Sequence, residues 1–261
     1  MSEAAARRPL RIGHKGADAL VKGNTLESFR AAVELGVDVI ELDVLRPRSD
    51  FADGADWRRA SAGPGAPGAE PLLVAHDWGD AARRQALTLE QVLDACLEPP
   101  LERVTIDLDL KVAGREDEVA AAIAERGLAA RATASTMEVA SIRELHRLLP
   151  ELPIGWTVPR STRDWPSVRW ARPLLLAWLV SMRVRLPGIV RRRAPALGVS
   201  SIWAYHPLIT SRLVDACHST GLRLIAWTVD DAAKIAALVG LGVDGICTND
   251  PRLFGAPATG G

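Results

Sequence analysis

Apolar positions along the chain follow two spacings, and the first clear case lies between Ile12 and Val44. A short apolar run ends on His14. Asn24, with Glu27 three places on, has the pattern of an N-cap and capping box, and Leu26, Phe29 and Val33 then recur at helical spacing until Gly36. Val37, Val39, Ile40, Leu42 and Val44 follow as a run apolar on both faces, as in a parallel sheet covered on both sides. Strand, helix and strand are therefore predicted in that order.

The alternation continues. Leu72 to Asp77 resumes an apolar strand, Thr88 and Gln91 form a second capping box opening a helix through Val92 and Leu93, and Val104, Ile106, Leu108 and Leu110 make one face of a further strand. Helices are predicted over 116–125, 142–149, 208–219 and 231–241, and extended segments over 133–135, 153–158, 199–203, 222–229 and 243–247. Strands placed near 10, 37, 104, 132, 153, 199, 222 and 243 number eight. Alternating β and α over 261 residues predicts a single α/β domain, residues 1–261, folded as a (β/α)8 TIM barrel. An open doubly wound sheet is the alternative, without the Gly-x-Gly-x-x-Gly or Walker loop that would support it.

Residues 46–71 interrupt the pattern: Gly, Ala and Pro crowd positions 54 to 71 without periodicity. This predicts a Gly/Pro-rich loop insertion after strand 2, at the rim, with Trp57 as its anchor. Formal charge balances at zero, which removes any global argument for nucleic acid. Arginine outnumbers lysine 28 to 4, so Lys15 and Lys111 stand out in the stretches that hold them. Cys96, Cys217 and Cys247 are widely spaced among apolar neighbours, which predicts buried free thiols rather than a zinc site. The N-terminus lacks an apolar signal core, and no apolar run approaches the ~20 residues of a spanning helix. A cytoplasmic protein without a transmembrane anchor is expected.

The period of two puts Glu41 and Asp43 on one face of the buried second strand. Like charges there repel and shift each other's pKa unless a metal or a basic side chain compensates them. If strands one and two are parallel neighbours, their carboxyl ends bring His14, Glu41 and Asp43 to one rim, where α/β folds place their chemistry. On the third strand Thr105, Asp107, Asp109 and Lys111 share the face opposite the apolar one, which in a barrel aims two acids and a lysine inward. Glu41, Asp43 and Asp109 are an all-oxygen set suited to a hard divalent ion, Mg2+ or Ca2+, rather than zinc.

Five short motifs occur in order: His14-Lys15-Gly16, Gly23-Asn24-Thr25, Glu41-Leu42-Asp43, His76-Asp77 and Asp109-Leu110-Lys111. Together with the stretches around Trp227 and from Asp244 to Pro251, they resemble the glycerophosphodiester phosphodiesterase family. That family's pattern runs His-Arg-Gly, Pro-Glu-Asn-Thr, Glu-x-Asp, His-Asp and Glu-x-Lys, so the resemblance covers nearly the whole chain. It implies metal-dependent hydrolysis of glycerophosphodiesters to glycerol 3-phosphate and an alcohol. The metal would be held by Glu41, Asp43 and Asp109, with Lys111 stabilising the transition state. His14 and His76 would move protons in an order left open, through a cyclic phosphate intermediate. Lys15 and Trp227 would contact a small-molecule glycerophosphodiester or lysophospholipid, and His206 ends a strand near the same pocket.

Three positions depart from the pattern: Lys15 stands for Arg, Gly23 for Glu and Asp109 for Glu, the last as in the related venom-type phospholipases D. A phospholipase D-like enzyme acting on lysophospholipids or sphingolipids is therefore an alternative, and a non-catalytic barrel binding phospho-ligands or a membrane surface another. Finally, Arg160 to Arg193 holds nine arginines and one acid, Asp164, around the apolar run Leu174 to Val180, with Trp165, Trp170 and Trp178. Peripheral membrane contact through this segment is expected, at roughly 1 kcal/mol per basic residue near an anionic surface; an ordinary outer helix with solvated arginines is the alternative.

Overall fold

The computed structural model describes residues 8–51, 54, 56, 70–160 and 172–255. β1 (Leu10–His14) and β2 (Val39–Leu45) pair in parallel, and β3 (Leu73–Val74) lies antiparallel on the outer end of β2. β4 (Thr105–Leu110), β5 (Ala132–Thr136), β6 (Ile154–Val158), β7 (Ser201–Tyr205), β8 (Arg223–Trp227) and β9 (Gly245–Thr248) continue the parallel sheet in chain order. β9 pairs with β1, closing eight strands into a barrel. All eight are the strands expected from the apolar runs, and the fold is a (β/α)8 barrel.

Helices α1 (Leu26–Glu34), α2 (Trp78–Arg84), α3 (Leu89–Ala95), α4 (Glu116–Glu125), α5 (Val139–Leu148), α6 (Arg172–Leu197), α7 (Ser211–His218) and α8 (Ala232–Leu241) fill the connections. Their starts follow local chemistry. Thr88 and Gln91 form the expected capping box, while Thr210 and Asp231 cap α7 and α8 through their side chains. The N-cap of α1 is Thr25, not Asn24: Asn24 is left-handed at φ 58° and its side chain turns inward. Outward strand residues such as Leu42, Ile106, Leu108 and Ile202 pack with Phe29, Leu93, Ile123 and Leu213 of the helices into the main core. Inside the barrel Ile12, Val39, Trp203, Ile225 and Cys247 form a separate apolar layer beneath the rim. Gly155 makes room for it, because a Cβ there would lie 2.4 Å from the Trp203 indole. Cys96, Cys217 and Cys247 are free and buried, as expected.

The insertion is partly anchored. Residues 48–50 form a 3-10 turn, and the buried Arg46 guanidinium reaches Asp50 at 2.8 Å and the carbonyl of Ala113 at 2.6 Å. Most of 46–71, including Trp57, lies outside the described residues. The short α2 was not anticipated, since seven residues hold too little periodicity to register. Among the described residues no helix is long and apolar enough to cross a membrane.

Candidate active site

The carboxyl ends of β1, β2 and β4 bring the expected residues together. His14 is in register with Glu41, and Asp43 with Asp109. Oxygens of Glu41, Asp43 and Asp109 all lie within 4.8 Å of one another, and the three residues are buried. Lys111, one residue past β4, places Nζ 2.5 Å from Asp43 Oδ1 and forms an ion pair with Asp109 as well. Counted formally, three carboxylates against one ammonium, −3 + 1, leave two negative charges, which a divalent ion would match. Burial, then repulsion from Asp43, pushes the Glu41 pKa well above the ordinary carboxylate value, and burial raises Asp109 in the same way. Burial acts against the charged forms of Asp43 and Lys111 too. There it is outweighed: Lys111 and the histidines hold Asp43 below its usual value, while Asp109, Asp43 and Glu41 hold Lys111 well above. The donor set, hard oxygens on a buried rim with uncompensated formal charge, fits a hard divalent ion.

Each of these groups is held from behind. Asn24 donates through Nδ2 to Asp43 Oδ2 at 2.8 Å and accepts the Asp43 N–H on Oδ1 at 3.1 Å. Its left-handed backbone is what points the amide inward, and the helix is capped one residue later instead. The Lys15 N–H donates to Glu41 Oε2 at 2.8 Å from a residue at φ 53°, followed by Gly16 at φ 89°, where a Cβ would strike Ser28 at 2.6 Å. His14 pairs its Nδ1 with Asn249 Oδ1 at 2.6 Å, and Asn249 in turn donates Nδ2 to Asp230 Oδ2 at 2.6 Å. A carboxylate accepts only, so the Asn249 amide turns its NH2 to Asp230 and its oxygen to His14. Nδ1 therefore carries the proton, and Nε2, 4.0 Å from Glu41 Oε2, presents its lone pair. Burial, with Lys15 nearby, lowers the His14 pKa to about 4, so the ring is neutral at pH 7. His76 pairs Nδ1 with Asp77 Oδ2 at 3.2 Å.

A family model for the "Glycerophosphoryl diester phosphodiesterase family" matches residues 14–49 and 87–253. The chain belongs to that family. A glycerophosphodiester phosphodiesterase of Caldanaerobacter subterraneus subsp. tengcongensis is 25% identical over 94% of this chain and 96% of its own. Another, from Arabidopsis thaliana, is 27% identical over 94% of this chain and 72% of its own. Among solved structures, an Oleispira antarctica phosphodiesterase in complex with the product sn-glycerol-3-phosphate shares the fold, with a TM-score of 0.60 and 20% identity over 94% of each chain.

Three further features shape the mouth and floor of the site. Lys15 does not stand free in the mouth: its Nζ lies 2.6 Å from Asp18 Oδ2, and Asp18 Oδ1 accepts the N–H of Gly23 at 2.6 Å. Across the mouth Trp227 and Tyr205 stack at a tilt, centroids 5.6 Å apart, with His206 beyond Tyr205 at 5.4 Å. The Trp227 Nε1 is buried and has no hydrogen-bond partner among the described residues. Deeper in the barrel Asp107 is fully buried beneath Asp109, accepting from the hydroxyls of Thr133 and Ser135 at 2.6 Å each; burial raises its pKa to about 7. Asn24 as an Asp43 holder, Asn249, Asp230 and Asp18 are the neighbours that sequence reasoning missed. Of the Arg160–Arg193 segment, 161–171 lie outside the described residues. The rest is chiefly α6, whose Arg183 donates to the carbonyl of Pro207 at 2.7 Å, just past the end of β7.

Proposed function

We propose that this barrel hydrolyses glycerophosphodiesters to glycerol 3-phosphate and an alcohol, using Mg2+ or Ca2+ held by Glu41, Asp43 and Asp109. The observation that carries this reading is the buried carboxylate cluster with its residual double negative charge, directly beside the free Nε2 of His14. Family membership supports it, as does the shared fold of the Oleispira antarctica enzyme seen with sn-glycerol-3-phosphate. Bound there, such an ion would neutralise a non-bridging phosphodiester oxygen and polarise phosphorus.

The chain's own residues do the rest. Neutral His14 accepts on Nε2 the proton of the attacking hydroxyl, and the Asp230–Asn249 pair keeps its ring in the tautomer that can do so. A neighbouring glycerol hydroxyl attacking in this way would give a cyclic phosphate, which water then opens. His76, its Nδ1 held against Asp77 Oδ2, delivers a proton to the leaving alcohol. Lys111 contributes a fixed positive charge close to the reacting phosphate, and Lys15 a second at the rim. Trp227 walls the side that faces the alcohol.

Glycerophosphocholine, assayed with and without a chelator, tests the reading. The expected products are sn-glycerol 3-phosphate and choline, lost on chelation and restored by one of the two ions added singly. Cleavage confined to lysophospholipids or sphingolipids would favour the phospholipase D-like alternative, and no turnover with either ion would leave a non-catalytic barrel.

We propose in addition that α6 makes peripheral contact with anionic lipid. Leu176, Val180 and Val184 recur one turn apart on its exposed surface, beside exposed Arg183 and Arg185, in a helix without an acid. Co-sedimentation with liposomes should rise with anionic lipid and fall with salt; an absence of binding at low salt would leave α6 as an outer helix.

A further inference from the structure

The two rim departures, Lys15 and Gly23, meet at a third residue. Asp18, from the loop between β1 and α1, is within 2.6 Å of the Lys15 ammonium and within 2.6 Å of the Gly23 nitrogen. The loop is tied at its far end as well, where the Asn24 N–H donates to the carbonyl of Lys15 at 3.0 Å. Gly23 is not glycine for its backbone angle. A Cβ at that position would lie 2.5 Å from Asp18 Oδ1 and 2.7 Å from the Lys15 Cβ, so a side chain at 23 and the Asp18 carboxylate compete for one space. The pair lines a small cavity of about 130 Å3 that also touches His76, Asp77 and Asn24, so the Lys15 ammonium is held at the edge of the site where the protons move.

We propose that Asp18 is a positioning residue for Lys15, and that it supplies from the loop the rim carboxylate that the family motif places at position 23. The physical need is specific to lysine. Arginine presents a rigid planar fork, whereas an ammonium on a four-carbon stem has no preferred direction until something fixes it. Asp18 takes one of its three N–H donors and leaves two for phosphate oxygens. Aspartate at 18 with glycine at 23 is thus the counterpart of having lysine at 15. The proposal rests on Lys15 meeting the substrate phosphate, as read above.

Its test is a double-mutant cycle with two readouts: the KM for glycerophosphocholine in saturating metal, and the calorimetric Kd of sn-glycerol 3-phosphate. Lys15→Ala and Asp18→Asn should each weaken both by roughly tenfold, the size of a lost charge-assisted contact, with kcat changed far less. In the Lys15→Ala background Asp18→Asn should add nothing; full additivity would overturn the proposal and leave Asp18 as a loop brace. Wild-type KM and Kd in Lys15→Ala would instead overturn the underlying reading of Lys15. An effect of Lys15→Ala with none of Asp18→Asn would sink the positioning role alone.

Discussion

On one side of the barrel mouth β1, β2 and β4 present His14, Glu41, Asp43, Asp109 and, just beyond the strand, Lys111; on the other β7 and β8 present Tyr205 and Trp227. The ionic side is a closed system of mutual support. Asn24 braces Asp43, the Lys15 N–H braces Glu41, Asn249 braces His14, and Lys111 joins two carboxylates. The aromatic side is held by ring contact, and its one buried polar tip has no partner among the described residues. Burial explains the difference: polar and charged groups out of water need hydrogen-bond partners or a counter-ion, whereas aromatic faces need only area. Substitutions on the ionic side should therefore be severe and distinct in kind, and those on the aromatic side mild.

The largest effects belong to the histidines. His14→Ala and His76→Ala should each lower kcat by ~10²-fold or more, because each removes a proton-transfer group. Melting temperatures should change little, since both rings lie at the rim rather than in the main core. A near wild-type rate in either variant would break the assignment of that side of the mouth.

Next come Asp43→Asn and Lys111→Met, which separate ligation from charge stabilisation. Calorimetric titration with Mg2+ and Ca2+ should show weakened binding in Asp43→Asn. Lys111→Met should bind an ion at least as well, having lost a competing cation, yet turn over more slowly by roughly 10²-fold. Equal metal affinity in wild type and Asp43→Asn would remove the triad from the proposal.

Below the ionic rim Asp107 gives a stability effect with a definite sign. Its folded pKa, about 7, lies above the ordinary 3.8, so between those values the folded protein keeps a proton that the unfolded chain releases. Stability from this group is present at low pH and lost as pH rises through that window. Asp107→Asn does not titrate and keeps acceptors and donors for Thr133 and Ser135. The variant should gain on wild type from pH 5 to pH 8, by up to about 3 kcal/mol, since the difference accrues at about 1.4 kcal/mol per pH unit only until the folded pKa is passed. Urea unfolding at the two pH values measures it, and an unchanged difference would mean that Asp107 is ionised throughout.

How much of this was legible depends on sequence distance. All eight barrel strands were readable, β2 as a run apolar on both faces that marks a covered parallel sheet and β4 by alternation, and the period of two alone paired Glu41 with Asp43 and aligned Asp107, Asp109 and Lys111. The braces were not readable. Asn249 and His14 are 235 residues apart and meet only because closure sets β9 beside β1. The available signal was the predicted closure itself, which puts the residue after the eighth strand next to the end of the first. Asn24 was misread because its sequence context suits a helix cap, and only the left-handed backbone frees its amide for Asp43. Lys15 and Asp18, three residues apart, were close enough to pair on sight, but the missing carboxylate was sought at position 23, where it belongs in the family motif, and not at 18.

The mildest prediction tests the aromatic side. Trp227 ends β8 with its ring against Tyr205 and is only partly buried, so part of the indole is available to a ligand. A quaternary ammonium over such a face gains about 0.5 to 2 kcal/mol, according to how far it is desolvated. Trp227→Leu should then raise KM for glycerophosphocholine by roughly 3- to 30-fold at constant kcat, because the contact is made equally in ground and transition states. Glycerophosphoglycerol carries no cation on its alcohol and should be affected far less, while Trp227→Phe, which keeps a ring, should fall between. Equal losses for both substrates would make the indole a shape-filling wall. No loss for either would assign it to packing with Tyr205, and the recognition attributed to this side of the mouth would have to come from other residues.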